Sequence, residues 1–572
     1  MASTIFEVGP SLPHVLCAVV GSALAAHWIF KRFEPQHAAA HAVLILGVPA
    51  LLSVLLLLHL SGIKALLVAF STYWCTLAGS VALYRLSPWH PLARYPGPVA
   101  LKLTKLSLAW ISRGGKRHIY TQQLHRRYGD VVRVGELYHH RCATAHDADR
   151  QAGPNELSIS NAAAIHPLMG TAGLHKGPQW GARAATQAVP PLIALGDPKE
   201  HLRRRKPWNR AFSVASLKDF EPMVARRTQQ LVDLLSSKKG EVNMSKWFSW
   251  FTYDLMSDMA FGGGSEMMRN GDEGSVWPLL EDGLVNSDTF GHLPWTADYV
   301  RKLPSLGSKM KEMRTFCIRR TAERVKLGNN STKDLFYYLN NEDGAEATPP
   351  LSQVVADGAL AVVAGSDTTS SVISNLIFFV LTHPEAYARL RTEVDFYYPP
   401  GENALNTTHH ADMPYLNAVI NETMRLYPPV SDGSQRLVPI GSGGKVVGTS
   451  YIPEGTITTV HMYSIQRDPR NFSPLPDSFW PERWILAGSG DARSAKIVHN
   501  PAAFFPFSFG PSNCAGKGLA LQEMRMVVTL MMQKLDLRLA DGFDAASYES
   551  LLLDYLILSR PPLPVVVKPR GL

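Results

Sequence analysis

The chain has 572 residues, 46% of them hydrophobic, with a formal net charge of +9 and a sequence pI near 9.1. That length can bury a large core or more than one lobe, and the positive balance suits an anionic membrane surface or an acidic protein partner. Nucleic acid is disfavoured as a partner, because no basic stripe carries interleaved aromatics and His201 to Arg210 is the one strong basic cluster. The five cysteines (Cys17, Cys75, Cys142, Cys317 and Cys514) are widely spaced and form no CxxC pair, which argues against a disulfide framework or a structural zinc site.

Three apolar runs open the chain: Leu12–Phe30, Ala42–Leu60 and Ala65–Leu86. Each is long enough to cross a bilayer. The first lacks the basic start of a signal peptide and is followed by more apolar sequence. Lys31-Arg32 follow the first run, and Arg85 and Arg94 follow the third. The positive-inside rule therefore predicts a lumenal N-terminus and a cytosolic remainder, leaving the sequons at Asn243, Asn330 and Asn406 unused. Residues 1–86 are expected to form a membrane region with about three spans. The proline-rich stretch Ser87 to Pro98 is expected to be a stiff, non-helical hinge, and 99–572 the catalytic domain.

Helical periodicity dominates that domain. Helices are predicted at Leu217–Ser236, Met310–Lys326, Leu351–Thr382, Pro384–Phe396, Tyr415–Leu426 and Lys517–Lys534, with strands at Asp130–Val134, Val446–Ile452, Thr456–Val460 and Leu563–Val567. Long helices with small separate sheets predict a mainly α, α+β fold. Pro154–Ile159 reads as the strand returning to Asp130–Val134. Between them Glu136–Gly153 is polar and aperiodic, and its His139, His140, Cys142 and His146 fit no zinc spacing. It reads as an atypical insertion, either a solvated loop or a retained intron, since its flanks join smoothly without it.

Five motifs carry chemistry. In "FSFGPSNCAG", Phe507, Gly510, Cys514 and Gly516 follow the pattern F-x-x-G-x-x-x-C-x-G just before a helix. Glycines on both sides of a lone cysteine favour a tight backbone that leaves the sulfur pointing outward. "AVVAGSDTTSS", Ala361 to Ser371, sets Asp367, Thr368 and serines inside an apolar helix, where unpartnered polar groups are costly. A local opening of the helix towards a ligand is expected there. Glu422 and Arg425 stand at i,i+3 in "NETMRLYPPV", "FWPERW" adds Arg483, and "HLRRRKPWNRAF" holds His201 and Arg205.

With these motifs in this order, the chain resembles the cytochrome P450 family of thiolate-haem monooxygenases across roughly residues 90–572, with fungal members suggested by "WHPLARYPGP" and "GPSNCAGKGLALQEMRMV". The resemblance implies a P450 fold and haem, iron protoporphyrin IX, held by Cys514 as the thiolate ligand. Asp367 would relay protons, Thr368 would hydrogen-bond the oxygen and its water, and Gly365 would leave room for the oxygen. Glu422, Arg425 and Arg483 would lock the core behind the haem. His201 (where the family commonly has Trp), Arg205 and Arg436 would hold the propionates; Ser512 stands where a basic residue is common. Phe507, Gly510 and Gly516 would shape the cofactor loop.

One atom of O2 would then enter a lipophilic small molecule and the other leave as water, in fungal secondary metabolism, for example on a terpenoid. Electrons would come from NADPH–cytochrome P450 reductase, and the multi-pass protein would sit in the endoplasmic reticulum membrane. The substrate lining is expected between 162 and 195 and between 243 and 295. The rival readings are a thiolate-haem isomerase or dehydratase, and a non-catalytic haem-binding protein.

Overall fold

The structure is a computed structural model that describes residues 10–135 and 155–571, apart from 34, 36, 185, 186, 188, 303–307, 327–332 and 489–495. The insertion at 136–153, with its histidines and Cys142, and the Asn330 sequon lie outside the described residues.

Three helices, Leu12–Phe33, Ala38–Leu56 and Gly62–Leu86, are long and apolar enough to cross a membrane. Small residues make their contacts close: Ala23, Ala26, Ala65 and Ala69 are buried between them. The second helix opens into a π-helical stretch at Val43–Gly47. Tyr73 and Trp74 of the third helix donate to the carbonyls of Leu44 (2.7 Å) and Ile45 (2.9 Å) within it.

The end of the first turn and the start of the second helix touch the body. Ala38 N–H donates to Asp298 (2.9 Å), and His41 shares a hydrogen bond with the Tyr299 hydroxyl (2.9 Å). The third helix also leads directly into the body, while His59 meets the Pro10 carbonyl at the opposite end. This arrangement puts Pro10 and the body at opposite ends of the helical bundle.

Residues 87–98 are non-helical, and they are packed into the body rather than set apart from it. Leu92 and Tyr95 are buried in a core shared with the sheets, and Arg133 N–H donates to the Pro96 carbonyl (2.8 Å).

Among the described residues the body has two main cores and a small third cluster of Leu101, Leu108, Leu124, Val132 and Val134. The larger is helical. Its centre is the 32-residue helix Leu351–Thr382 packed against Met244–Phe261, with Val214–Ser236, Pro414–Leu426 and Lys517–Lys534 around them. The smaller core lies under a five-stranded mixed sheet ordered 131–135, 155–159, 456–460, 436–437, 175–176. The 131–135 and 155–159 strands pair antiparallel, and 155–159 pairs parallel with 456–460.

Most predicted elements are present within one to three residues. Val446–Ile452 is instead two strands, Lys445–Val447 and Ser450–Ile452, because Gly448 turns the chain at φ 56°. Met244–Phe261 was not predicted as a helix. Sixteen of its eighteen residues are buried, so it shows no polar face to set a period.

Candidate functional site

The cysteine loop is built by exclusion and by capping. Gly510 adopts φ 71°, and a Cβ there would meet the Met169 carbonyl oxygen at 2.1 Å, so only glycine fits. Cys514 N–H donates to the Phe507 carbonyl (2.8 Å), which closes the loop. Helix Lys517–Lys534 starts directly after Gly516. Cys514 is exposed in surface terms, yet enough protein surrounds it that burial pushes its thiol up. The Gly516 N–H, Arg205 and Lys517 pull it back only in part. A thiol so placed becomes a thiolate when a metal takes it.

The basic cluster divides into distinct jobs on helix Pro198–Ala211. Arg205 donates through Nη1 to the Asn513 carbonyl (2.7 Å) and through Nη2 to the Asn513 side chain (3.0 Å), bracing the residue before Cys514. Arg204 is buried and donates to Asp357 (2.8 Å) and to the Pro190 carbonyl (2.6 Å). Arg203 and Lys206 face outward and pair with Glu200 and Glu346.

Beside Arg205 lies a group of cations. His201 is pushed down to about 4 by burial and then by Lys176, Arg205 and Arg436. Burial, with Arg436 and Arg205, lowers Lys176 to about 7, and burial lowers Arg436 to about 10. Lys176 and Arg436 face each other across the sheet as register partners. Among the described residues no ion pair joins a carboxylate to Lys176, His201 or Arg436.

Buried like charges without counter-ions are costly unless a ligand brings the anions. Two carboxylates of a haem would supply them, so the residues present fit that group. Sequence reasoning missed Lys176, because only the sheet pairing brings it to Arg436, some 260 residues away.

Lys176 also donates to the Ile193 carbonyl (2.7 Å), and Ile193 lines a cavity of about 360 Å³. Its walls are mostly apolar, including Trp180, Ala194, Leu284, Val355, Leu360 and Val363. Parts of both segments expected to line the substrate border this cavity. The segments 180–194 and 283–287 contribute, but so do Cys317, Ile318, Leu556 and the first half of helix Leu351–Thr382, while 244–261 packs behind it.

Two expectations for that long helix need correcting. It does not open at its polar stretch. Thr368 donates to the Ala364 carbonyl (2.7 Å), Ser370 to that of Asp367 (3.1 Å) and Ser374 to that of Ser370 (2.6 Å), so the hydroxyls are satisfied inside a continuous helix. Gly365 makes room for Met256 rather than for oxygen: a Cβ there would lie 2.6 Å from the Met256 sulfur. Ala364, one residue earlier, is exposed in mid-helix and Thr368 half-buried, so this face is left uncovered by protein. Asp367 is turned to another face and accepts from Arg560 (2.5 Å).

Behind these faces Glu422, Arg425 and Arg483 lock together with no exposed side-chain surface. Arg425 grips Glu422 with two bonds of 2.8 Å, and Arg483 adds one of 3.0 Å. Trp480 N–H and the Trp484 indole complete the carboxylate's shell. Desolvation works against the charge, but the two arginines outweigh it and hold Glu422 below the usual carboxylate range.

Comparison with known proteins agrees with this geometry. The cytochrome P450 family model matches residues 157–566. Cytochrome P450 monooxygenase FCK2 of Fusarium pseudograminearum is 32% identical over 86% of this chain and 84% of its own. Cytochrome P450 monooxygenase nodW of Hypoxylon pulicicidum is 33% identical over 91% of each, and cytochrome P450 67 of Uromyces fabae is 32% identical over 96% of this chain and 98% of its own. The chain therefore belongs to the cytochrome P450 family.

Proposed function

We propose that this monooxygenase holds haem between the Cys514 loop and the Ala364–Thr368 face of the long helix, and that it oxidises a lipophilic small molecule in fungal secondary metabolism. The observation that carries the placement is the group of buried cations beside Arg205 with no carboxylate of their own. Cys514 would hold the haem iron through its thiolate, braced by Arg205 through Asn513. Lys176, His201 and Arg436 would bind the propionates, with neutral His201 as a hydrogen-bond donor. The haem, when bound, supplies the reductive activation of O2 that puts one oxygen atom into the substrate and releases the other as water.

The chain's own residues supply the rest. The apolar cavity excludes water and orients the substrate by shape. Thr368, which can turn its hydroxyl from the Ala364 carbonyl to the open face, would position a proton there, and Asp367 would replenish it. Glu422, Arg425 and Arg483 keep the wall behind the loop rigid.

The redox partner would be the membrane-bound NADPH–cytochrome P450 reductase. Exposed Arg203, Lys206 and Lys517 lie on the cysteine-loop side, where they suit an acidic docking surface. The three apolar helices would anchor the protein in the endoplasmic reticulum membrane with the body cytosolic. Expression with that reductase, followed by metabolite comparison against Cys514→Ala, tests the reading. New oxygenated products in the parent alone support it; identical metabolites in the two strains would overturn it.

A further inference from the structure

Helix Val276–Gly291 supplies Gly283, Leu284 and Ser287 to the wall of the cavity. At its start the Trp277 ring lies 5.5 Å from the Arg560 guanidinium. In its last turn Asp288 accepts from Arg183 (2.5 Å), which also borders the cavity. Both of these partners belong to the body. Beyond its end the helix is held by the membrane region instead.

The chain leaves the helix through Leu293, whose N–H donates to the Phe290 carbonyl (2.9 Å), and enters the short helices Pro294–Thr296 and Ala297–Lys302. Thr296 closes on the Leu293 carbonyl with its N–H (2.9 Å) and its hydroxyl (2.6 Å), so 290–296 is a tight turn and not a slack linker. Pro294–Thr296 also packs on helix Gln179–Arg183, which brings Trp180 and Arg183 to the cavity. A shift of 294–299 is therefore passed to two walls at once.

The start of the second apolar helix grips this stretch. Ala38 N–H donates to the buried Asp298 carboxylate (2.9 Å), which also pairs with Lys302 (2.8 Å). An N–H at a helix start has no partner inside its own helix, so the carboxylate supplies the missing acceptor. His41 is buried beside it. Its Nε2 donates to the Pro35 carbonyl (2.8 Å), which leaves Nδ1 of the neutral ring to accept from the Tyr299 hydroxyl (2.9 Å). The His41 and Tyr299 rings lie nearly parallel (14°) with centroids 5.9 Å apart, and the Trp295 ring meets them edge-on at 6.2 and 5.9 Å. Anchoring alone needs only apolar length. A buried carboxylate, an oriented imidazole and three packed rings specify one placement of the bundle against the body.

We propose that His41 and Asp298 are positioning residues of the substrate cavity: through them the second membrane helix latches 295–299 and so fixes where helix Val276–Gly291 stands over the cavity. This rests on the reading of that cavity as the substrate site. The membrane helices are then part of the site's framework as well as its anchor.

The test uses the full chain, haem-loaded, in phospholipid vesicles. Amide hydrogen exchange over 276–296 reports the wall, with helix Pro414–Leu426 as the internal control. Release of clotrimazole, a bulky lipophilic azole followed through the haem absorption, reports the cavity. His41→Ala and Asp298→Ala should each speed both by roughly tenfold, the loss of about one buried hydrogen bond. Exchange over Pro414–Leu426 and the thiolate absorption band with carbon monoxide should match the parent. Asp298→Asn, which keeps an acceptor for Ala38, should do less. Tyr299→Phe should speed both in the parent and add nothing to His41→Ala.

Unchanged exchange over 276–296 in His41→Ala and Asp298→Ala would overturn the proposal. Faster exchange with unchanged release would overturn it too, because the wall then loosens without consequence for the cavity. An equal rise over Pro414–Leu426 would make the contact a general stabiliser and sink the positioning role. If the parent itself gives no azole-bound spectrum, the haem reading fails separately, and exchange alone decides the latch. Should His41→Ala not fold, Tyr299→Phe, which removes one hydroxyl, decides in its place.

Discussion

Two groups of charged side chains within the body differ in one respect. Glu422, Arg425 and Arg483 satisfy one another, with no exposed side-chain surface and no need of a ligand. Arg436 is buried and Lys176 half-buried beside neutral His201, but the two cations repel and have no acid among them. A closed ion cluster belongs to the scaffold, whereas an open one of a single sign points to an anion that binds later. Burial alone would not have separated the two; the sign of the neighbours does.

The largest expected effect comes from making the closed cluster resemble the open one. Glu422→Ala leaves two buried arginines facing each other and should cost about 3–5 kcal/mol. Chemical denaturation, or simply the loss of folded protein on expression, reads it. Glu422→Gln should be milder, since it keeps part of the hydrogen bonding.

Removing a charge from the open cluster should act in the opposite direction. Lys176→Met should stabilise the haem-free chain and speed haem loss from the loaded one severalfold, measured by transfer to a haem-scavenging protein. The pH dependence gives the same contrast. Unfolded lysine holds its proton to its ordinary range, while folded, haem-free Lys176 releases it at about 7. Between those values the unfolded chain binds more protons, so stability of the haem-free protein should rise with pH by roughly 1 kcal/mol per unit. Lys176→Met should remove that slope.

Glu523 sharpens the comparison as a lone buried acid. Burial pushes it well above the carboxylate range, and its Oε1 has no hydrogen-bond partner. The folded state holds its proton longer than the unfolded state, so stability should fall as pH rises from the ordinary carboxylate range towards the raised value. Glu523→Gln should flatten that decline in a denaturation series across pH. The smallest effect is expected at the surface. Arg203→Glu should slow electron transfer from reductase at low salt and match the parent at high salt, by stopped-flow reduction.

Much of this was legible in the residues, and the gaps have physical causes. Helix Leu351–Thr382 was predicted at its observed bounds because its apolar run lies between prolines at 350 and 384. Helix Met244–Phe261 was missed because burial on all sides erases periodicity. Gly365 was visible as a glycine, but only packing shows that Met256 is what fills the space. Glu422, Arg425 and Arg483 could be named from motifs, as could His201, Arg205 and Arg436. The cation that completes the second group, Lys176, is set in place by a two-residue strand pairing, and no local pattern announces it.

Cys514 as the thiolate that would hold the haem iron is the central claim, and the spectrum of the full-length chain carrying Cys514→Ala tests it most directly. After reconstitution with haem, reduction and exposure to carbon monoxide, the variant should keep its helical circular dichroism and lose the thiolate absorption band that the parent shows. An unchanged thiolate band in the variant would contradict the account.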